Sequence, residues 1–230
     1  MNIPWTFWVS FSADLLLLLC VISFLVRKVY NNKAVKWIFY TFVSGFVVTI
    51  IQSYHFFQKT NNLYTFHIFT NIEFVFLSLF FKDILQKNIP KYFFYIAIGA
   101  FLGFSIYNSL FLQDWKKFNT YASFIEGIVM IALSGFYFLR GMQKVENIKE
   151  FQENNHIFYM VAGIFLYFIG DFFILSLMNF IYAYADKDFA RFVWILHIVF
   201  LWVYYILIGI GIWRIPKKSG STLYLSRGFS

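Results

Sequence analysis

The sequence predicts an all-α, polytopic membrane protein: a seven-transmembrane-helix bundle with its N-terminus outside and its C-terminus in the cytoplasm. Three observations predict this class. First, 60% of the 230 residues are apolar and only 13% are charged, whereas about a quarter of the residues in soluble domains are charged. Second, apolar runs of about 20 residues, the length that crosses a bilayer, recur between short polar loops. Third, Lys and Arg are concentrated in alternate loops.

Seven apolar runs define the spans. Each should be a helix, because an open strand edge cannot face lipid. The spans are Trp5–Val26, Trp37–Phe57, Tyr64–Phe81, Tyr92–Leu112, Thr120–Leu139, Ile157–Tyr182 and Phe192–Trp213. Residues 1–214 therefore form one seven-helix transmembrane domain, and residues 215–230 form a short cytoplasmic tail.

The positions of the basic residues set the predicted orientation. Those that follow spans one, three, five and seven are Arg27, Lys28, Lys33, Lys36, Lys82, Lys87, Lys91, Arg140, Lys144, Lys149, Arg214, Lys217, Lys218 and Arg227. The opposite loops hold only Lys59, Lys116, Lys117, Lys187 and Arg191. By the positive-inside rule the richer loops are cytoplasmic, and the loop over residues 140–156 should be a solvated segment there. This orientation accounts for the net charge of +8, so no nucleic-acid partner is expected.

The third span divides into a polar and an apolar half. Its first half carries His67, Thr70, Asn71 and Glu73, and its second half is almost entirely Phe, Leu and Val. Ionisable residues inside a membrane are costly and usually mark functional positions. Other spans repeat the pattern, including span two with Thr49, Gln52 and His55, and span four with Ser105, Asn108 and Ser109. Every span thus offers a polar face in its outer half, and we expect these polar ends to meet in one cavity.

The ionisable residues of different spans fall at similar depth. Asp14, Glu73, Glu126 and His197 each follow the outer end of their span by two or three helical turns, and Asp171 lies near the middle of span six. Helical spacing places further polar and aromatic residues on the same faces. The candidate ligand-binding residues are Asp14, Glu73, Glu126, Asp171, His197, Thr70, Ser123, Tyr167 and Trp194. We expect them to line one outward-facing cavity above a sealed apolar inner half.

Some residues are better explained structurally. His55 and His67 lie near the outer ends of their spans and are expected to be surface groups. Gly99 and Gly103 form a small-xxx-small pair, which is typical of a close helix contact. The single cysteine, Cys20, excludes an intrachain disulfide and a cysteine-based metal motif.

The negative charge of the predicted cavity restricts the class of ligand. No Lys or Arg lies in the middle of a span, so the carboxylates must be satisfied by protons, by His197, by a metal ion or by a cationic ligand. Glu73, Glu126, Asp171 and His197 are the candidate ligands of a divalent metal. An anion bound as an isolated charge is disfavoured.

Four stretches of the chain resemble a known group of proteins. They are HIFTNIEFVFLSLFF, FNTYASFIEGIVMIALSGFYF, FYMVAGIFLYFIGDFF and FVWILHIVFLWVYYILIGIGIW, in spans three to seven. They resemble a large uncharacterised group of bacterial seven-helix inner-membrane proteins that are often encoded beside two-component sensor kinases. The resemblance implies a place in the bacterial inner (cytoplasmic) membrane and a sensory role.

Other seven-helix families fit less well. Microbial rhodopsins need a Lys in the last span, which this chain lacks, so retinal is not expected, and neither is a nucleotide. Ceramidase-like hydrolases carry HxxxH in the last helix, whereas His197 is followed by Ile-Val-Phe-Leu.

Three functions agree with these features. The first is a receptor or sensor that binds a small cationic, metal or lipid-like ligand and signals through a separate cytoplasmic or membrane kinase, with membrane lipids as its surroundings. The second is an intramembrane lipid hydrolase, in which carboxylates and His hold Zn²⁺ and activate water, although no HExxH motif is present. The third is a proton- or cation-coupled transporter, which needs a polar path that the inner halves lack.

Overall fold

The structure is a computed structural model that describes residues 5–143 and 155–216. These residues form seven long α-helices and no strand. The helices are α1 (Trp5–Arg27), α2 (Val35–Gln58), α3 (Tyr64–Leu85), α4 (Lys91–Tyr107), α5 (Thr120–Gln143), α6 (Asn155–Tyr184) and α7 (Lys187–Arg214). A 3-10 turn, Val29–Asn31, follows α1, and a π-helical turn, Asn108–Leu112, continues α4. The all-α prediction is confirmed, and each helix overlaps one predicted span.

Six of these helices are long and apolar enough to cross a membrane, which indicates a multi-pass membrane protein. The helix that is not among them is α3, which carries the polar half identified in the sequence. Most of the loop expected to be solvated, residues 144–154, and the tail from residue 217 onward lie outside the described residues.

The helices pack as a ring of six with α4 outside it. Around the ring the neighbours are α1 and α2, α2 and α3, α3 and α5, α5 and α6, α6 and α7, and α7 and α1. Helix α4 packs against α3 and α5. A Cβ added at Gly99 or Gly103 of α4 would meet no described atom within 4 Å. The expectation that these two glycines form a close helix contact is therefore wrong within this chain, because they lie on the outer face of α4.

Helices α6 and α7 approach each other closely at three glycines. A Cβ at Gly170 would overlap the Phe200 ring, and one at Gly211 would lie 2.9 Å from the His156 carbonyl oxygen. A Cβ at Gly163 would lie 3.2 Å from the Tyr204 carbonyl oxygen. Small residues at such positions allow two helices in a membrane to approach closely.

The two ends of the bundle differ in composition. We call the end at which α1 begins the N-end and the end at which α7 finishes the C-end. The C-end half is filled by one continuous cluster of buried apolar side chains, which includes Phe24, Phe42, Leu77, Phe80, Phe81, Met160, Ile164, Ile208 and Ile212. Near the C-end surface, Trp37 Nε1 donates to Asp83 Oδ2 at 2.8 Å. The apolar inner half expected from the sequence is present.

Candidate functional site

A cavity of about 470 Å³ lies in the N-end half of the ring. Its wall extends from Thr6 and Arg191 near the N-end to Leu17, Gly45 and Tyr205 at its base. All six ring helices contribute to this wall, and none of its residues belongs to α4. The volume is in the range of small-molecule binding sites.

The cavity wall contains eight of the nine residues proposed from the sequence as ligand-binding. They are Asp14, Thr70, Glu73, Ser123, Glu126, Tyr167, Trp194 and His197. The ninth, Asp171, lies behind His197, and its side chain is almost fully buried. The structure thus brings these residues together, and their binding of a ligand stays a prediction.

Glu73 and Glu126 face the interior of the bundle rather than lipid, with 6% and 3% of their surfaces exposed. Their carboxyl groups are close enough to interact electrostatically, and Glu73 also interacts in this way with Asp171. Glu126 Oε1 is buried and has no hydrogen-bond partner among the described residues. A buried polar atom without a partner costs free energy, so the Glu126 carboxyl group is a position where a ligand atom would be stabilised.

His197 and Asp171 form the strongest polar contact of the site. His197 Nδ1 donates to Asp171 Oδ2 at 2.7 Å, and both side chains are buried. This bond fixes the imidazole ring and leaves Nε2 as the acceptor nitrogen of the neutral tautomer. No hydrogen bond to Nε2 is present in the described part of the chain, and the ring lies on the cavity wall.

Asp14 forms a second acidic position on the same wall. Thr49 of α2, the helix next to α1 in the ring, lies on this wall as well. Asp14 is on α1 and Glu126 is on α5, and these two helices face each other across the six-helix ring. The cavity therefore has an acidic group on each of two opposite sides.

Several wall residues were not proposed from the sequence. Helix α2 supplies Thr49 and Gln52, whose polar stripe was recognised but not assigned to the site. Tyr205, which follows His197 by two steps of four residues on one face of α7, could have been found from its spacing. Arg191 lies at the N-end of the wall and pairs with Asp188 at 2.9 Å.

The two histidines expected at the surface differ. His55 is partly exposed and lies between Thr60 and Tyr64. His67 is fully buried, so its prediction as a surface group is wrong. Its ring bonds Ser109 Oγ at 2.9 Å and the Lys117 carbonyl oxygen at 3.1 Å. These bonds hold the loop before α5 against α3, and this role for His67 is structural.

The polar stripe of span four lies outside the cavity. Ser109 bonds His67, and Asn108 Nδ2 donates to Asn119 Oδ1 at 2.8 Å. Both contacts are made between α4, α3 and the loop before α5. The expectation that every span contributes a polar face to one cavity is therefore wrong for span four.

Aromatic rings line much of the cavity between the acidic groups. They belong to Phe7, Phe11, Phe56, Phe66, Phe69, Tyr167, Phe168, Tyr182, Trp194 and Tyr205. An aromatic face attracts a cation, and the attraction is stronger where water is excluded. Carboxylates together with aromatic rings are suited to an organic ammonium group.

The geometry does not favour a metal ion. Within residues 5–143 and 155–216, no three His, Cys, Asp or Glu side chains are arranged so that they could hold one. Glu73, Glu126, Asp171 and His197 share a region of the bundle without forming such a group. A divalent metal stays a prediction from the sequence.

Comparisons with protein-family models, curated proteins and solved structures found no match to this chain. A functional conclusion must therefore be based on the cavity and its residues.

Proposed function

We propose that this chain is a receptor-type membrane sensor whose N-end cavity faces the outside and binds a small organic cation. The observation that carries the proposal is the cavity itself, where Asp14, Glu73 and Glu126 lie among aromatic rings. A ligand ammonium group would give the unpartnered Glu126 Oε1 a charge-assisted hydrogen bond. The aromatic rings would enclose the rest of the ligand.

The membrane arrangement behind this proposal has seven crossings. Helix α3 is as long as its neighbours and buries its polar residues inside the bundle, which supports a crossing by α3 as well. The excess of Lys and Arg in the C-end loops supports a cytoplasmic C-end. An enzyme reporter fused after Ser230 should then be active only in the cytoplasm. Activity on the other side of the membrane would reverse the direction in which the cavity faces.

The apolar core supports sensing over transport. Below the cavity, buried side chains from α1, α2, α3, α6 and α7 fill the ring down to the C-end. A hydrated path for an ion is not compatible with this packing. A ligand would act instead by shifting the helices. A separate kinase-type partner would detect this shift at the C-end of the bundle. That partner is inferred from the resemblance to proteins encoded beside sensor kinases.

The proposal is tested by matched probes on the purified protein in lipid nanodiscs. Phenethylamine should raise the unfolding temperature, whereas phenethyl alcohol, its neutral counterpart, should not. The effect should grow as pH rises, because protons compete with the cation for the carboxylates. Glu126→Gln should abolish the effect, and Asp114→Asn, at an exposed acid at the same end that is not on the cavity wall, should retain it. Equal stabilisation by the alcohol would favour a neutral lipid-like ligand.

One observation favours a second function, an intramembrane lipid hydrolase. The Asp171–His197 pair has the geometry of an oriented general base, with Nε2 on the cavity wall. In that role Nε2 would take a proton from water as the water oxygen attacks an ester carbonyl, and would return this proton to the alcohol oxygen as the bond between the acyl carbon and that oxygen breaks. Incubation with phospholipid and sphingolipid vesicles, followed by mass spectrometry, tests this function. Product that forms with wild type and not with His197→Gln would establish it and displace the sensor proposal.

A further inference from the structure

We infer that the ligand of the cavity is a dication, an aliphatic diamine or polyamine, whose two ammonium groups bind at two separate acidic positions. The inference rests on the proposed function and adds the chemical class of the ligand. The first position is Asp14 with Thr49. The second is Glu73 with Glu126. Each position holds one end of the ligand.

The acidic groups of the wall fall into two sets. Glu73 interacts electrostatically with Glu126 and with Asp171. Asp14, on α1, lies on the opposite side of the ring from Glu126, on α5. One ammonium group placed against Glu126 therefore leaves Asp14 without a cation.

The second position contains a buried carboxylate oxygen that a ligand would stabilise. Glu126 lies on the cavity wall with only 3% of its surface exposed. Its Oε1 has no hydrogen-bond partner in the described part of the chain. Asp171 is satisfied on one side by His197. The nearest fixed cation on the wall, Arg191, is paired with Asp188 at the N-end. Within residues 5–143 and 155–216, no Lys or Arg forms an ion pair with either position.

The wall between the two positions suits a hydrocarbon linker. Leu17, Phe69 and Tyr205 lie on the cavity wall, and the Leu17 and Phe69 side chains both approach Gly45 of α2. A methylene chain buries apolar surface there, and linking two charged ends makes the second contact intramolecular. A diamine should therefore bind more tightly than a monoamine of equal length.

The test compares the diamines putrescine, cadaverine and hexamethylenediamine with butylamine, pentylamine and hexylamine by calorimetry, on the full chain in nanodiscs. The best diamine should bind wild type at least about tenfold more tightly than its monoamine. Asp14→Asn should weaken diamine binding more than monoamine binding and so remove this preference. Glu126→Gln should weaken the binding of diamines and of monoamines. Thr49→Val is a milder second variant at the first position, and Asp114→Asn, at an exposed acid away from the cavity wall, is the control.

The outcomes separate the inference from the proposed function. Equal affinities of diamine and monoamine for wild type would overturn the two-position inference and leave a cation-binding cavity intact. A diamine preference that persists in both Asp14→Asn and Thr49→Val would remove Asp14 from the site and overturn the inference. Failure of every amine to bind folded wild type would overturn both the inference and the proposed cation ligand.

Discussion

The N-end and C-end halves of the ring are built from the same six helices and yet differ in what fills them. The C-end half is packed with Phe, Leu, Ile and Met side chains that leave little space. The N-end half encloses about 470 Å³ and buries acidic groups beside it. Stability should therefore depend mainly on the C-end half and ligand binding on the N-end half, because packing drives helix association in lipid.

The largest expected effect is a loss of packing in the C-end half. Phe81 is fully buried, and Phe81→Ala should lower the free energy of unfolding by about 3 kcal/mol, because it leaves a cavity among well-packed neighbours. Phe173, which is 68% exposed, provides the matched control. Reversible unfolding in detergent measures both. A similar cost for Phe173→Ala would show that the C-end core is not the main source of stability.

The second effect tests the close contact of α6 and α7. Gly211→Ala should cost about 1–3 kcal/mol, because its Cβ would lie 2.9 Å from a backbone oxygen that cannot rotate away. Gly103→Ala on α4 should be nearly neutral, since that Cβ meets no described atom within 4 Å. Reversible unfolding in detergent compares the costs of the two substitutions. Equal costs would contradict the arrangement of α4 outside the ring.

The third effect concerns a polar contact at the base of the N-end half. Asp171→Ala should cost about 2 kcal/mol, because His197 Nδ1 loses its buried acceptor. Asp171→Asn should cost less, since its amide oxygen can still accept from Nδ1. Asp188→Ala at the exposed N-end is the control. A neutral result for Asp171→Ala would mean that His197 finds another partner.

The smallest effect has the opposite sign. Glu126→Met should raise the free energy of unfolding by about 1 kcal/mol without ligand, because it removes a buried oxygen that has no partner among the residues the structure describes. The same variant should lose binding of organic cations. A more stable protein that no longer binds cations would show that Glu126 serves binding and not stability. Destabilisation would show that Glu126 supports the fold as well as the site.

Several of these features were predictable because they depend on one helix at a time. The boundary between the polar and apolar halves of α3, on either side of Glu73, is visible in the order of the residues. The depths of Asp14, Glu126 and His197 follow from helical rise. Depth along each span and helical spacing together predicted the eight residues that line one cavity.

Features that depend on how helices are rotated and ordered were not predictable. The stripe of Ser105, Asn108 and Ser109 has the same spacing as a cavity face, but α4 lies outside the ring and turns this stripe toward α3 and the loop before α5. The bond between Asp171 and His197 joins two helices whose relative rotation is set by Gly163, Gly170 and Gly211. Hydropathy identifies spans without specifying their neighbours.

The close glycine contacts between α6 and α7 have a mechanical consequence. A slide of one helix past the other would drive side chains against the Phe200 ring at Gly170, so we expect α6 and α7 to keep one relative position. Movement on ligand binding should then occur in helices that pack against this pair. In spin-label distance measurements, a label pair across α6 and α7 should keep one separation when a diamine binds. A pair across α1 and α5 should shorten.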